Sequence, residues 1–95
     1  MSKISIVVPV YYNEDTLMDL YQDMKEKILY KLGEYELVFV DDGSGDRSWE
    51  IMNQIKDMDS NVKLVKLSRN FGEHAALLAG MHHCTGDCAV TKQAD

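Results

Sequence analysis

Residues 4–15 read Ile-Ser-Ile-Val-Val-Pro-Val-Tyr-Tyr-Asn-Glu-Asp, and the fold turns on how that stretch is read. Ile4 to Val10 is a short β-branched run, which suits a strand covered on both faces, as in a parallel sheet. Asn13 stands where a helix cap is wanted. Glu14 and Asp15 follow in what would be the first turn, where the helix dipole favours negative charge. Leu17, Leu20, Met24, Ile28 and Leu32 then recur at three- and four-residue steps, which marks one buried helical face, and Gly33 stops the helix.

The same alternation continues down the chain. Glu36 to Val40 predicts a second strand, closing in Asp41-Asp42-Gly43-Ser44-Gly45-Asp46. Asp46 is placed to cap a helix with Trp49, Met52, Ile55 and Met58 on its inner side. Val62 to Leu67 predicts a third strand, Ser68 to Gly72 a loop, and Glu73 to His83 an Ala/Leu-rich helix stopped near Thr85-Gly86. Asp87 to Thr91 opens a fourth strand. Residues 1–95 therefore read as one α/β domain, β-α-β-α-β-α-β, with a mostly parallel Rossmann-like sheet of about four strands and three helices. There is no linker, repeat or low-complexity segment. In such sheets ligands bind outside the carboxyl ends of the strands, where the winding reverses. That directs attention to Tyr11–Asp15, Asp41–Asp46, Ser68–Gly72 and Gln93–Asp95.

Composition narrows the partners. With 95 residues, 45% hydrophobic and 27% charged, the chain is globular rather than a disordered tail or a disulfide miniprotein. Ten Lys and Arg against sixteen Asp and Glu leave a net charge of −6, which argues against nucleic acid. An anionic ligand would need a local answer, such as a metal ion or helix N-termini. Cys84 and Cys88, with no secretory signal before them, point to a reduced, cytoplasmic setting. No apolar stretch approaches the roughly 18 residues that span a bilayer. His74, His82, His83, Cys84 and Cys88 lack the paired spacing of a zinc site.

Each loop has a plain reading beside a chemical one. Pro9 removes a ladder donor from an interior strand and needs a reason. The turn after it can carry a tyrosine ring and the Glu14 carboxylate to the sheet edge, where they would stack on and hydrogen-bond a nucleobase. The plainer reading is a strand-to-helix turn. Asp41 and Asp42 alternate in direction, so one can meet a base or ribose while the other holds the loop; the plainer reading is a polar glycine turn. Arg69 can bind phosphate or pair with an acidic loop residue, and Phe71 can wedge the helix onto the sheet. Asp95 can hold Mg²⁺ or Mn²⁺, completed by phosphate oxygens and water.

Taken in order, VVPVYYNE (Val7–Glu14), VFVDDGSGD (Val38–Asp46), SRNFGEHAALLAG (Ser68–Gly80) and TGDCAVTKQAD (Thr85–Asp95) resemble the N-terminal, nucleotide-binding half of a family 2 glycosyltransferase of the GT-A fold. The similarity is to the branch of dolichol-phosphate mannose synthase and undecaprenyl-phosphate glycosyltransferases, and it covers nearly the whole chain. The resemblance implies that Pro9, Tyr11 or Tyr12, and Glu14 cradle the base of a UDP- or GDP-sugar, the family spacing favouring Tyr11. It implies that Val40 and Asp42 contact base and ribose and that Arg69 lies near the donor. Gln93-Ala94-Asp95 falls where the family carries Asp-x-Asp, making Asp95 the metal ligand and Gln93 an amide in place of a carboxylate. It implies a longer, membrane-associated enzyme working at the cytoplasmic face. That enzyme would transfer a sugar with inversion to a polyprenyl phosphate, with the acceptor half lying beyond these residues. A truncated face would favour homodimers. The alternative, a receiver-like signalling module, would put its paired acids after the first strand and a phosphoacceptor Asp after the third. Here the paired acids follow the second strand and the third ends in Ser68-Arg69.

Overall fold

The computed structural model describes residues 3–32, 34–85 and 87–90. The strands are β1 (Ile4–Val10), β2 (Tyr35–Asp41), β3 (Val62–Lys66) and β4 (Asp87–Val90). They form one sheet in the order β3-β2-β1-β4, and every neighbouring pair is parallel. Between β1 and β2 the chain forms α1 (Leu17–Met24), a π-helical turn (Lys25–Leu29) and α2 (Tyr30–Leu32). The other crossovers are α3 (Ser48–Met58) and α4 (Glu73–His82).

The β-branched runs are buried because both faces of the sheet are covered. Ile6, Val8, Val10, Leu37 and Phe39 meet Leu17, Tyr21 and Met24 of α1 and Met52 and Ile55 of α3 on one face. Val7, Val38 and Val40 meet Ala76 of α4 on the other. From β1 the chain winds to β2 and β3, then returns past β1 to β4. A right-handed crossover made in the reverse direction must cover the opposite face, which is where α4 lies. The winding thus reverses between β1 and β4. Gly80 lets α4 settle closely on the sheet: a Cβ there would lie 2.3 Å from Val7 Cγ1 and 3.0 Å from Val40 Cγ2. The helix is apolar almost all round, leaving Leu78 and Met81 about half exposed on its outer side.

Three local expectations change. The first helix is not uniformly α-helical: its π turn adds a residue, and Leu29, outside the expected three- and four-residue series, is buried. Met58 is 54% exposed instead of facing the core, because the next inward place goes to Asp59, 7% exposed. Strand β2 extends one residue further at each end than the apolar run suggested. Gly33, Gly86 and Thr91 lie outside the described residues.

Two buried carboxylates tie the amino-terminal edge of the sheet. Glu36 accepts hydrogen bonds from Ser5 Oγ at 2.9 Å and the Thr85 amide at 3.1 Å, and pairs with Lys63 Nζ at 2.9 Å. Burial alone would raise its pKa, but Lys63, Thr85 and Ser5 outweigh it and bring the group down to about 2. Asp59 accepts from the hydroxyls of Tyr21 and Tyr35 and from the Asn61 amide. Burial opposes those bonds, yet Asp59 stays below the usual carboxylate range. Burial and the bond to Asp59 push Tyr35 up to about 12, and push Tyr21 up as well.

Candidate functional site

Val10, Asp41 and Lys66 stand in register, so β1, β2 and β3 deliver their following loops to one edge. β4 is parallel to β1 and points the same way. Backbone folding in the first loop is local: Tyr12 takes a left-handed conformation with φ 56°, and the Tyr11 amide donates to Asn13 Oδ1 at 2.9 Å. Asn13 therefore turns its side chain back along the loop instead of capping α1. Its carbonyl accepts from Thr16 and Leu17, the helix starts at Leu17, and Asp19 is the acidic residue of its first turn. Glu14 and Asp15 lie in the turn before the helix.

The second loop holds the first through three consecutive amides. Tyr12 N–H donates to Ser44 Oγ at 2.9 Å, Asn13 N–H to Ser48 Oγ at 2.8 Å and Glu14 N–H to Asp46 Oδ2 at 3.2 Å. Asp46 also accepts from the Ser48 amide through Oδ1 at 3.0 Å, so it serves the start of α3 from just outside the cap position, which Arg47 occupies. Burial raises the Asp46 pKa, but its bonds to Ser48 and Glu14 hold it below the ordinary value. The Tyr12 hydroxyl reaches over Gly45, where a Cβ would lie 2.4 Å from it. The Tyr11 ring stands edge-on to Tyr12, centroids 4.7 Å apart. Tyr12 is thus held over the second loop, and both rings reach the surface, Tyr12 more exposed than Tyr11.

The third loop docks on the second. Asp42, 3% exposed, accepts from the Phe71 amide at 2.9 Å through Oδ1 and from Asn70 Nδ2 at 3.0 Å through Oδ2. Asn70 Nδ2 also reaches the Asp42 carbonyl at 3.1 Å. The loops come so close that a Cβ on Gly43, whose φ is 77°, would lie 2.4 Å from Asn70 N and 2.5 Å from the Arg69 carbonyl carbon. Asp41 is fully buried; its Oδ1 takes the Ser44 amide at 3.0 Å and its Oδ2 has no hydrogen-bond partner. Both aspartates therefore take part in holding the loops. The Arg69 guanidinium lies 4.9 Å from the Phe71 ring centroid.

Of the expected site residues, Tyr11, Glu14, Asp42 and Arg69 sit on these mutually bonded loops. Pro9 and Val40 are cross-strand partners buried beneath them. Pro9 lies beyond Val7, the last β1 residue paired with β4 among the described residues, so its missing N–H breaks no described rung of that ladder. Gln93 and Asp95 lie outside the described residues. Sequence reasoning missed Ser44, Ser48 and Asn70 as the groups that join the loops; their partners are 28 to 35 residues distant, and no local pattern marks them. A cavity of about 200 Å³ lined by Lys3, Tyr35, Lys56 and Lys63 opens at the opposite, amino-terminal edge. Lys56 and Lys63 already bond the Val62 carbonyl and Glu36 there.

The sequence profile of Glycosyl transferase family 2 matches residues 5–95. The chain belongs to this family. Family 2 membership sets the receiver alternative aside. Among similar proteins is a glycosyltransferase of Bacillus subtilis (strain 168), YkcC, 45% identical over 91 residues, covering 96% of this chain and 28% of that protein. Another is the undecaprenyl-phosphate 4-deoxy-4-formamido-L-arabinose transferase of Pseudomonas fluorescens (strain Pf0-1), 41% identical over 93 residues, covering 97% of this chain and 27% of that protein. The chain thus spans under a third of the length of these family 2 relatives. In three dimensions it is similar to S. aureus TarS 1-349 in complex with UDP, with a TM-score of 0.82 and 25% identity over 96% of this chain and 27% of that one. The mannosyltransferase PcManGT of Pyrobaculum calidifontis, in complex with GDP-Man and Mn²⁺, superposes with a TM-score of 0.84 at 21% identity, over 96% of this chain and 27% of that one. That likeness speaks for the fold.

Proposed function

We propose that these residues form the donor-binding part of an inverting glycosyltransferase that moves a sugar from a UDP- or GDP-linked donor to a polyprenyl phosphate. The observation that carries the reading is the bonded rim itself. Three loops at the carboxyl ends of β1, β2 and β3, next to the point where the winding reverses, bring a pair of tyrosines, two carboxylates and an arginine to one edge. Tyr11 offers a face for base stacking, and Glu14 and Asp42 offer acceptors for base and ribose donors. Arg69 supplies positive charge for the diphosphate, a local answer to the net −6 of the chain. Similarity to the UDP-bound TarS and to the undecaprenyl-phosphate transferase supports the donor and acceptor classes.

Mg²⁺ or Mn²⁺ belongs to the same proposal. Among the described residues no three His, Cys, Asp or Glu side chains converge to hold a metal ion, so the rim does not bind one unaided. Asp95, with Gln93 beside it, is the proposed ligand, and the donor's own phosphate oxygens complete the shell. A cation there would neutralise charge on the departing diphosphate. The acceptor phosphate is itself an anionic nucleophile, so attack at C1 with inversion needs no strong general base.

The enzyme works at the cytoplasmic face of the membrane in this reading. No described helix is long and apolar enough to cross a bilayer. The half-exposed Leu78 and Met81 of α4 and the outer edge of β4 are surfaces that a second copy would cover in a homodimer. Calorimetric titration with UDP and with GDP, each with Mn²⁺, tests the donor reading. The expected affinity is weak, high micromolar or poorer, and Asp42→Asn weakens it further. No heat from either nucleotide removes the reading.

A further inference from the structure

We infer that Asn70 is a positioning residue for donor binding, acting by fixing the carboxylate of Asp42; the inference rests on the donor reading above. Asp42 directly follows β2, and its carboxylate is nearly buried at the rim. A carboxylate has about four lone-pair sites. Phe71 N–H takes one on Oδ1 and Asn70 Nδ2 takes one on Oδ2, leaving one on each oxygen for a ligand donor. Held on both oxygens, the group cannot rotate without breaking two bonds. Asn70 is the part of this hold that a side-chain change can release, since the other donor is backbone.

The geometry of Asn70 is unusual for a residue with access to water. It is exposed, yet its amide turns inward to two oxygens of one residue, the carbonyl and the carboxylate of Asp42. Gly43 makes that approach available, since any side chain there would meet the backbone of Arg69 and Asn70. Beside Asn70 the Arg69 guanidinium lies 4.9 Å from the Phe71 ring centroid. Losing the Asn70 amide leaves a nearly buried carboxylate short of a partner, which costs stability, and a carboxylate free to rotate also meets a base or ribose in fewer productive orientations.

The test compares wild type, Asn70→Ala, Asp42→Asn and the double variant, titrated with UDP and GDP in the presence of Mn²⁺, alongside thermal melts. Asn70→Ala is expected to weaken nucleotide binding about tenfold or more, as for loss of one hydrogen bond to a charged group, and to lower the melting temperature by roughly 6–12 °C. In the Asp42→Asn background the same change should have almost no effect on affinity, because the group it orients is gone. Equal affinity in wild type and Asn70→Ala overturns the inference and leaves the donor reading standing. So does a loss that persists undiminished beside Asp42→Asn. Absence of binding by wild type removes the donor reading and this inference together. Should Asn70→Ala not fold, NMR of the wild-type Asn70 side-chain amide decides: its resonances shift on nucleotide addition if it shares Asp42 with the ligand, and stationary resonances overturn the proposal.

Discussion

Replacing Glu36 by Gln tests whether the amino-terminal edge is held by charge. The carboxylate is brought from its ordinary 4.5 to about 2, and its side chain is only 9% exposed, so solvent screening takes little from the interaction. A drop of that size corresponds to about 3 kcal/mol of stability supplied by the ionised form. Because the folded value is depressed, that stability is complete above about pH 4.5 and is lost as pH falls toward 2. Gln has the shape of the protonated acid and keeps an oxygen for Ser5 and Thr85, but it leaves Lys63 without its counter-charge. Urea unfolding of wild type and Glu36→Gln at pH 7, 5, 4, 3 and 2.5 is the assay. The variant should be about 3 kcal/mol weaker at pH 7, equivalent to roughly 12–24 °C in melting temperature for a domain of this size. The gap should close as pH falls, since the other acids titrate in both proteins and cancel in the difference. A gap under 0.5 kcal/mol at pH 7, or one that stays constant down to pH 2.5, would refute the reasoning.

Gly43→Ala should cost about 3 kcal/mol, from left-handed strain and the clash with Arg69 and Asn70, and should speed amide exchange at Phe71; a change within 0.5 kcal/mol in a thermal melt contradicts the close approach. Gly80→Ala sets a gain in helix propensity of up to about 1 kcal/mol against overpacking on the stiff Val7 side chain. Overpacking of about 1–3 kcal/mol should win, and a more stable variant would show that α4 sits further from the sheet. Leu78→Glu with Met81→Lys lies on the outer side of α4, so stability should stay within about 0.5 kcal/mol while any dimer seen by light scattering is lost; an unaffected dimer places the interface elsewhere.

The fold was legible because its signals are local and repeat. Ile4–Val10 is β-branched except at Ser5 and Pro9, as suits a strand covered on both faces, and the α1 and α3 core positions fall at helical spacing over one face of the sheet. What escaped notice involves distant partners or competition between near ones. Glu36 reads as the polar flank of a strand until Ser5, Lys63 and Thr85 are brought around it from far along the chain. Asn13 has a cap residue's chemistry, but the Tyr11 amide sits nearer and takes its oxygen, and α1 starts later in consequence. The π turn follows from fitting Met24 and Leu29 into one core, a tertiary demand with no local signal. At the site, the residue types were readable from sequence and their bonding was not. Asp42 reads from sequence as a ligand contact, and the structure shows it as the centre of a latch closed by Asn70 and Phe71.

The two edges of the sheet divide the work. At the amino-terminal edge buried carboxylates meet a lysine and two tyrosine hydroxyls, which fixes how the strands and helices sit. At the carboxyl edge the loops are joined by hydrogen bonds between loop amides and short side chains, Ser44, Asp46, Ser48 and Asn70. Bonds of that kind set the geometry of the loops that carry Glu14, Asp42 and Arg69 to the rim. In the proposed reading a nucleotide that meets a rim already in place would not have to order three loops as it binds, and that saving in ordering entropy is what the joined loops would contribute to affinity. The joints between the loops, and not only the side chains that would touch a nucleotide, are therefore where substitutions should weaken binding while leaving the sheet intact.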